Sequence, residues 1–310
     1  MITANGLPTR EDWHGLARDY YRSDELFENE LQHIWRAAWL FACATCELPR
    51  AGDFMTLNIA DTPILLVRDD DQIRAFHNIC SHRGTLLCDA ERGHIGKMIV
   101  CPYHQWSYSR SGELHSCRGM HEVEPASFGL RAVPMVVVAG LVFVCLAETP
   151  PDPGPLTRLF GAAEPHGFER AKVAHAVDYR VKANWKIVWE NNRECYHCDA
   201  GHPQYVRSNF DSFEGERDTP AARANQAEIM ARADAYWTAE GLSVKHASGG
   251  LARYPEPDDP HPFPVSATRT VMVDGYDTES MDGRRVAPLA ASPRPPIAPA
   301  RFRGFANTIW

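Results

Sequence analysis

The chain has 310 residues, enough for about two domains and a sizeable core. Apolar residues make up 44% and charged residues 23%, ordinary globular values that exclude collagen, wholesale disorder and coiled coil. The formal net charge of -8, from 32 basic and 40 acidic residues, argues against a nucleic-acid backbone or an anionic membrane as partner, and no run reaches the ~18–20 apolar residues that span a bilayer.

Residues 1–15 lack the basic stretch and apolar core of a secretory signal. Nine cysteines, an odd number, are scattered through the chain, so the expectation is a reduced, cytoplasmic protein whose thiols bind metal or fill core positions. Ser23-Asp24-Glu25 precedes Leu26, Phe27, Leu31, Ile34 and Trp35 at helical spacing, which predicts a helix over 24–36. From Trp39 to Cys145 the pattern changes to short apolar and β-branched runs at 54–59, 64–67, 73–76, 98–100 and 136–146, punctuated by Gly, Asp and Pro. A small antiparallel β domain is expected there. Thr149–Pro155 reads as a stiff linker. Beyond it a strand is predicted over Lys172–Val181, a helix from Trp185 to about Cys198 and another over Ala221–Ala239. After Gly241 the pattern weakens through two Pro-rich patches, and Phe302–Trp310 reads as the start of a strand. The expected fold class is α+β: an N-terminal helical segment (1–38), an antiparallel β domain (39–149) and a helix-and-sheet domain (156–310) that is expected to be incomplete at its C-terminal end.

Two loops carry the strongest chemical signal. Cys80-Ser81-His82 and Cys101-Pro102-Tyr103-His104 each offer one thiolate and one imidazole. A zinc site would gather all four donors on one ion, but zinc modules usually group Cys with Cys and His with His. A Rieske [2Fe–2S] cluster takes one Cys and one His from each loop, so that both Cys bind one iron and both His the other. The alternation C-x-H, C-x-x-H matches the cluster; zinc and a purely structural pairing are the alternatives.

A second constellation follows in Asn184-Trp185-Lys186 through Glu190-Asn191-Asn192-Arg193-Glu194-Cys195-Tyr196-His197 and His202. Glu194 and His197, three apart, share a helix face. His202 would lie about 140° away if the helix continued, but Gly201 and Pro203 predict that it stops, letting the chain fold back so that both imidazoles meet one ion. Two His and a carboxylate form the facial triad of non-haem Fe(II) oxygenases. Taken alone, the same residues describe a helix with a polar face.

With Arg83-Gly84 after the first Cys-His pair and Trp106 after the second, residues 80–106 resemble a Rieske domain. Thr85 and Tyr103 stand where respiratory-type loops carry an extra cysteine pair, so the loops resemble the lower-potential oxygenase and ferredoxin type. The motif N-W-K-x3-E-N-x2-E-C-Y-H-x4-H, following in the same chain, resembles the catalytic motif of Rieske non-haem iron oxygenase α subunits, the aromatic-ring-hydroxylating family, over roughly residues 15–215. The resemblance implies a [2Fe–2S] cluster on Cys80, His82, Cys101 and His104, and a mononuclear Fe(II) on His197 and His202. It implies that Glu194 takes the place of the carboxylate, usually Asp, that bridges a catalytic His to a Rieske His of the neighbouring subunit. It also implies a homotrimer, and electrons from NAD(P)H through a flavin/iron–sulfur reductase. Glu rather than Asp at 194 resembles the branch acting on quaternary ammonium compounds, the carnitine and glycine betaine monooxygenases. The string W-E-N-N-R-E-C-Y-H-C, with L-A-E-T-P-P at 146–151, is most similar to the glycine betaine type. The implied activity is O₂-dependent N-demethylation. The alternatives are an aromatic ring-hydroxylating dioxygenase α subunit, or a Rieske electron carrier if the second domain binds no iron.

The family's third iron ligand is an Asp on a helix well downstream. Asp211, Asp218, Asp234, Asp258, Asp259, Asp274, Asp277 and Asp282 are present, but no helix matching that motif is found between His202 and Trp310. The expectation is a chain lacking the end of its catalytic domain. Cys43-x-x-Cys46 and Cys195-x-x-Cys198 read as buried packing rather than redox pairs. Trp185, Trp189, Tyr196, Tyr236 and Trp237 suit core packing or an aromatic cage for a trimethylammonium group. His94, His115, His121, His166 and His246 belong to no paired motif and are expected at the surface or in loops.

Overall fold

A computed structural model describes residues 15–120, 122, 124–161, 164, 167–173, 175–193, 197–208, 219–239, 252–254, 265–271, 273, 276, 282, 284 and 300–305. The chain opens with α1 (Asp19–Arg22) and α2 (Asp24–Glu30), which runs into a π-helical turn at Leu31–Trp35. Ser23 caps the helix: the Leu26 N–H donates to Ser23 Oγ at 3.2 Å, and Asp24 and Glu25 face the positive end of the helix dipole.

Ten strands follow, β1 (Leu40–Ala44), β2 (Asp53–Ile59), β3 (Thr62–Asp69), β4 (Gln72–His77), β5 (Arg92–His94), β6 (Met98–Val100), β7 (Ser107–Ser109), β8 (Leu114–Ser116), β9 (Met135–Val138) and β10 (Leu141–Val144). They pair antiparallel into sheets ordered β1-β10-β9, β4-β3-β2-β5 and β6-β7-β8. Strand β3 explains the packing. Ile64, Leu65, Leu66 and Val67 are all fully buried, a continuous apolar run rather than an alternation. Ile64 and Leu66 join a core with Leu40, Val142 and Val144 of the first sheet, whereas Leu65 and Val67 join one with Ile99, Trp106 and Tyr108. Because successive side chains leave opposite faces of a strand, the central sheet is covered on both sides. The second of these cores holds the two candidate loop cysteines.

The expected run 136–146 is two strands, not one. Ala139 and Gly140 both adopt positive φ (49° and 80°), the two-residue turn whose twist suits a hairpin, without the Asn-Gly or Asp-Gly dipeptide that signals it. A Cβ on Gly140 would stand 2.5 Å from the Glu169 backbone nitrogen, so the hairpin tip abuts the short turn at Phe168–Arg170.

The predicted linker is shorter than expected and is anchored. The Trp39 indole N–H donates to the Pro151 carbonyl at 2.9 Å, and α3 (Gly154–Gly161) already begins within the Pro-rich stretch. Leu159 and Phe160 of α3 pack on Val138 and Phe143, with the two Phe rings 4.9 Å apart. The strand expected over Lys172–Val181 does not form. Val173, Val177, Tyr179 and Val181 are exposed, and their period-two pattern meets no neighbouring ladder among the described residues. Next come α4 (Trp185–Arg193), α5 (Cys198–Gly201), α6 (Pro203–Ser208) and α7 (Pro220–Ala239), the last within one residue of its predicted start. Strands β11 (Ala252–Tyr254), β12 (Val265–Val271) and β13 (Ala300–Phe305) form an antiparallel sheet in that order, in a region whose pattern gave no strand before residue 302. The molecule is α+β, and no helix among the described residues is long and apolar enough to cross a membrane.

Candidate metal centres

The first candidate centre sits where two loops meet at one end of the β domain. Loop one leaves β4 and is closed by Asn78, which is fully buried. Its amide Nδ2 donates to the Cys88 carbonyl at 2.6 Å, and its Oδ1 accepts from the Cys88 N–H at 3.0 Å. Inside that closure the Cys80 N–H donates to the Thr85 carbonyl at 2.8 Å, and the Gly84 N–H returns to the Cys80 carbonyl at 3.0 Å. Loop two joins β6 to β7. Its Cys101 N–H donates to the Trp106 carbonyl at 2.8 Å, and Gln105 turns through a positive φ of 61°.

These turns stack the donors in two tiers. Cys80 and Cys101, each 2% exposed, lie side by side at the base, while half-buried His82 and His104 stand above with ring centroids 4.8 Å apart. Burial pushes the Cys80 thiol up, and the neighbouring Cys101 adds to the shift, against hydrogen bonds from Tyr108 and the backbone at His82. A buried thiol of that kind ionises only when a cation takes the place of its proton. Partial desolvation, facing His104 and nearby Arg83 all hold the His82 imidazole below its ordinary value, in the neutral form that binds metal. Trp106 lies flat against His82, 4.7 Å away and 6° from parallel, and its buried indole N–H has no acceptor among the described residues.

A thiol pair below an imidazole pair is the division that a [2Fe–2S] cluster with Cys₂ on one iron and His₂ on the other requires. A single tetrahedral ion would need all four donors about one point. Among the described residues no three His, Cys, Asp or Glu side chains are gathered that way.

The second candidate centre lies on the helical side. His197 precedes α5 and His202 ends it. The Gly201 N–H donates to the His197 carbonyl and the His202 N–H to the Cys198 carbonyl, both at 2.8 Å. His202 then leaves the helical region (φ -135°, ψ 56°) before Pro203 starts α6. The single turn and its break bring the two rings to 5.4 Å, inclined at 77°, as the Gly201 and Pro203 reading predicts. Glu194, together with Cys195 and Tyr196, lies outside the described residues. So do Asp211, Asp218, Asp258, Asp259, Asp274 and Asp277; Asp234 sits on α7, and Asp282 is an exposed turn residue.

Two other sequence expectations are resolved. Cys43 is buried in the β-domain core, and burial pushes its thiol up to about 12, so the packing reading of Cys43-x-x-Cys46 holds for it. Trp185 donates its indole N–H to Glu30 Oε2 at 2.8 Å and meets Trp35 edge-on at 5.5 Å, which commits it to an internal contact rather than a cage. Trp189 is half-buried, Tyr196 lies outside the described residues, and the side chains of Tyr236 and Trp237 are not described. His94 is on β5 and pairs with Asp53 at 2.9 Å, and His115 is exposed on β8. His121, His166 and His246 fall outside the described residues.

Sequence reasoning missed Tyr108, Asn78, Tyr21 and Glu30. The fully buried Tyr108 hydroxyl lies 3.1 Å from Cys80 Sγ and accepts from the Ser81 N–H at 3.2 Å. Its signal was available: Trp106, just before β7, and Tyr108 within it are two residues apart, the period that puts both on the core face. For Asn78, Tyr21 and Glu30 no local pattern announces the contact.

Comparisons with known proteins agree with this geometry. Residues 38–132 match the Rieske [2Fe-2S] domain, and residues 168–268 match the catalytic domain of ring-hydroxylating alpha subunits. The chain is 36% identical over 287 residues to a glycine betaine monooxygenase oxygenase subunit of Pseudomonas aeruginosa, covering 91% of this chain and 63% of that one. It is also 36% identical over 314 residues to the same subunit of Chromohalobacter salexigens, covering 99% of this chain and 67% of the relative. The chain thus spans about two thirds of the length of these relatives. A solved quaternary ammonium Rieske monooxygenase, described in terms of carnitine oxidation and inter-subunit electron transfer, superposes with a TM-score of 0.56 at 29% identity, over 62% of this chain and 54% of that one. A Rieske domain implies a [2Fe–2S] cluster, and the ring-hydroxylating catalytic domain implies a mononuclear iron. The two-tier donor set fits the first, and the His197–His202 pair offers two imidazoles to the second.

Proposed function

This chain belongs to the family of Rieske-type ring-hydroxylating oxygenase α subunits, and on that premise we propose that it is the oxygenase component of a quaternary ammonium monooxygenase. Glycine betaine is the proposed substrate. The net reaction takes one N-methyl group, O₂, two electrons and two protons to dimethylglycine, formaldehyde and water. The single observation that carries the reading is that one chain holds both assemblies, the tiered Cys80/Cys101 and His82/His104 set and the His197/His202 pair across a broken helix. Substrate class is supported by the glycine betaine relatives.

In this reading Cys80 and Cys101 would hold one iron of the cluster, His82 and His104 the other, and His197 and His202 the mononuclear iron. When bound, the cluster supplies electrons one at a time and the mononuclear iron activates O₂. The chain's own contribution is placement. Asn78 and the two loop turns fix the donors before metal arrives. The Tyr108 hydroxyl stands beside the Cys80 sulfur, and the thiols are buried while the imidazoles sit at the rim. Glu194 is proposed as the bridging carboxylate toward the cluster histidine of a neighbouring copy in a homotrimer. A flavin/iron–sulfur reductase drawing on NAD(P)H is proposed as electron source. Residues 39–149 are proposed as the cluster domain and 156–310 as part of the catalytic one.

Metal analysis of anaerobically purified protein, with zinc counted alongside, tests this first. Close to three irons per chain, followed by formaldehyde release from glycine betaine with a reductase, is the expected result. Two irons and no formaldehyde would reduce the chain to an electron carrier, and a cis-diol from an aromatic substrate would move it to ring dioxygenation.

A further inference from the structure

Helix α4 is held in an unusual way. None of its residues enters a hydrophobic core among the described residues, and Ile187 and Val188 are each 47% exposed. The contacts seen for α4 are instead mainly polar, and they run to the N-terminal helical segment. Glu30, the last residue of α2, accepts from consecutive residues with its two oxygens: the Lys186 ammonium at 2.5 Å and the Trp185 indole N–H at 2.8 Å. Both charged partners are nearly shut off from water, with 8% of the Lys186 side chain and 13% of the Glu30 side chain exposed. The ammonium also stands 5.1 Å over the Trp185 ring. One turn further along α4, the Tyr21 hydroxyl of α1 donates to Glu190 at 2.8 Å; at the start of the helix, the amide of Asn184, which precedes α4, donates to the Tyr21 carbonyl at 3.2 Å.

Two levels of contact, at 185–186 and at 190, fix both the position and the rotation of a helix. The residues that make them on the other side are tied to the β domain: Trp35, just beyond Glu30, packs on the core containing Leu40 and Val144 and meets Trp185 edge-on. In sequence, α4 ends at Arg193, four residues before His197. From this geometry we infer that Glu30 is a positioning residue of the mononuclear iron site. With Lys186 and Tyr21 it sets the helix that delivers His197, and ties its placement to the domain bearing the cluster loops. The inference rests on the proposed iron-binding role of His197 and His202.

The physical asymmetry of a buried ion pair makes the inference testable. Removing Glu30 strands the Lys186 ammonium in a site without a counter-charge, and the helix must shift to rehydrate it. The described contacts of Glu30 run to Trp185 and Lys186 and touch no donor of either candidate centre, so a change at either is transmitted. The experiment compares wild type with Glu30→Ala, the charge swap Glu30→Lys/Lys186→Glu and the milder Tyr21→Phe, in the full chain. Cluster content is read from visible absorbance and electron paramagnetic resonance. Fe(II) affinity is read by titration into protein stripped of mononuclear iron, with nitric oxide as the spin probe.

Glu30→Ala is expected to keep wild-type cluster content while Fe(II) binds about tenfold more weakly. The nitrosyl signal should broaden, the swap should recover most of the affinity, and Tyr21→Phe should lie between. Wild-type affinity and an unchanged nitrosyl signal in Glu30→Ala overturn the inference. Joint loss of cluster and iron also overturns it, because the pair then holds the whole fold rather than the site. If wild type itself takes up no mononuclear iron, the reading of His197 and His202 fails, and the inference falls with it.

Discussion

The two candidate centres are built on opposite plans. The cluster loops hang from a sheet covered on both faces, and backbone hydrogen bonds within each loop close them, from Cys80 to Thr85 and Gly84 to Cys80 in the first and from Cys101 to Trp106 and Gln105 to Cys101 in the second. The His197–His202 pair rests on one helical turn, backed by a small cluster of Cys198, Tyr205 and Val206. The difference teaches that one site is made by its own domain. The other is placed by contacts brought from far along the chain, and the segment that precedes α4 leaves Val173, Val177, Tyr179 and Val181 exposed.

Metal loss should affect the two regions unequally. In the first site the donors form part of a core, so binding the cluster is also folding energy. Cys101→Ser is expected to abolish the visible cluster absorbance and lower Tm by about 10 °C or more. His197→Ala should remove only the mononuclear iron and leave Tm within about 2 °C of wild type. Calorimetry of both variants, with iron counted per chain, checks this, and equal Tm losses would break the contrast.

Gly140 joins the two regions at the hairpin tip. Alanine there must adopt a φ of 80° and place its methyl against the Glu169 backbone, which cannot move away as a side chain would. A loss of about 1–3 kcal/mol is expected in urea unfolding. A cost near zero would mean that the hairpin and the Phe168–Arg170 turn are not in firm contact.

Within the cluster domain, Tyr108→Phe removes the hydroxyl beside Cys80 and leaves the Ser81 N–H without its acceptor. The cost should be about 1 kcal/mol, and the midpoint potential of the cluster should fall, since a donor to sulfur favours the reduced, more negative form. Protein-film voltammetry reads the shift directly. No change in potential would show that the hydroxyl does not point at the sulfur once the cluster is bound.

How far these features could be read from sequence depends on the range of the contact involved. The Cys-His loops were legible because ligand spacing within a loop is local, and the break at His202 because Gly201 and Pro203 announce it. The continuous run of β3 was legible as a strand, though not as one buried on both faces. The hairpin at 139–140 escapes the sequence because Ala139 gives no turn signal, and Lys172–Val181 reads as a strand because period two describes only half of a ladder. The Glu30–Lys186 pair spans 156 positions of sequence, and nothing near either residue marks the other.

The smallest expected effect is electrostatic and belongs to the better-built region. Asp53 is buried at the start of β2. Burial alone would raise its pKa, but hydrogen bonds from His94, from the Arg50 backbone N–H and from the Arg50 side chain outweigh it, so the carboxyl is held below its ordinary value. A carboxylate whose folded pKa is depressed binds its proton more readily when unfolded. Its stabilisation is therefore present above the unfolded value, about 3.9, and drains away as pH falls through the lower folded value. Unfolding free energy should thus decline with acid in the range below about pH 4.5, and Asp53→Asn should flatten that part of the decline while leaving the slope above it unchanged. An unaltered acid slope in Asp53→Asn would mean that the Arg50–Asp53–His94 contacts do not outlast exchange with water. The cluster domain would then owe its rigidity to the two-faced packing of β3 and to the loop hydrogen bonds alone.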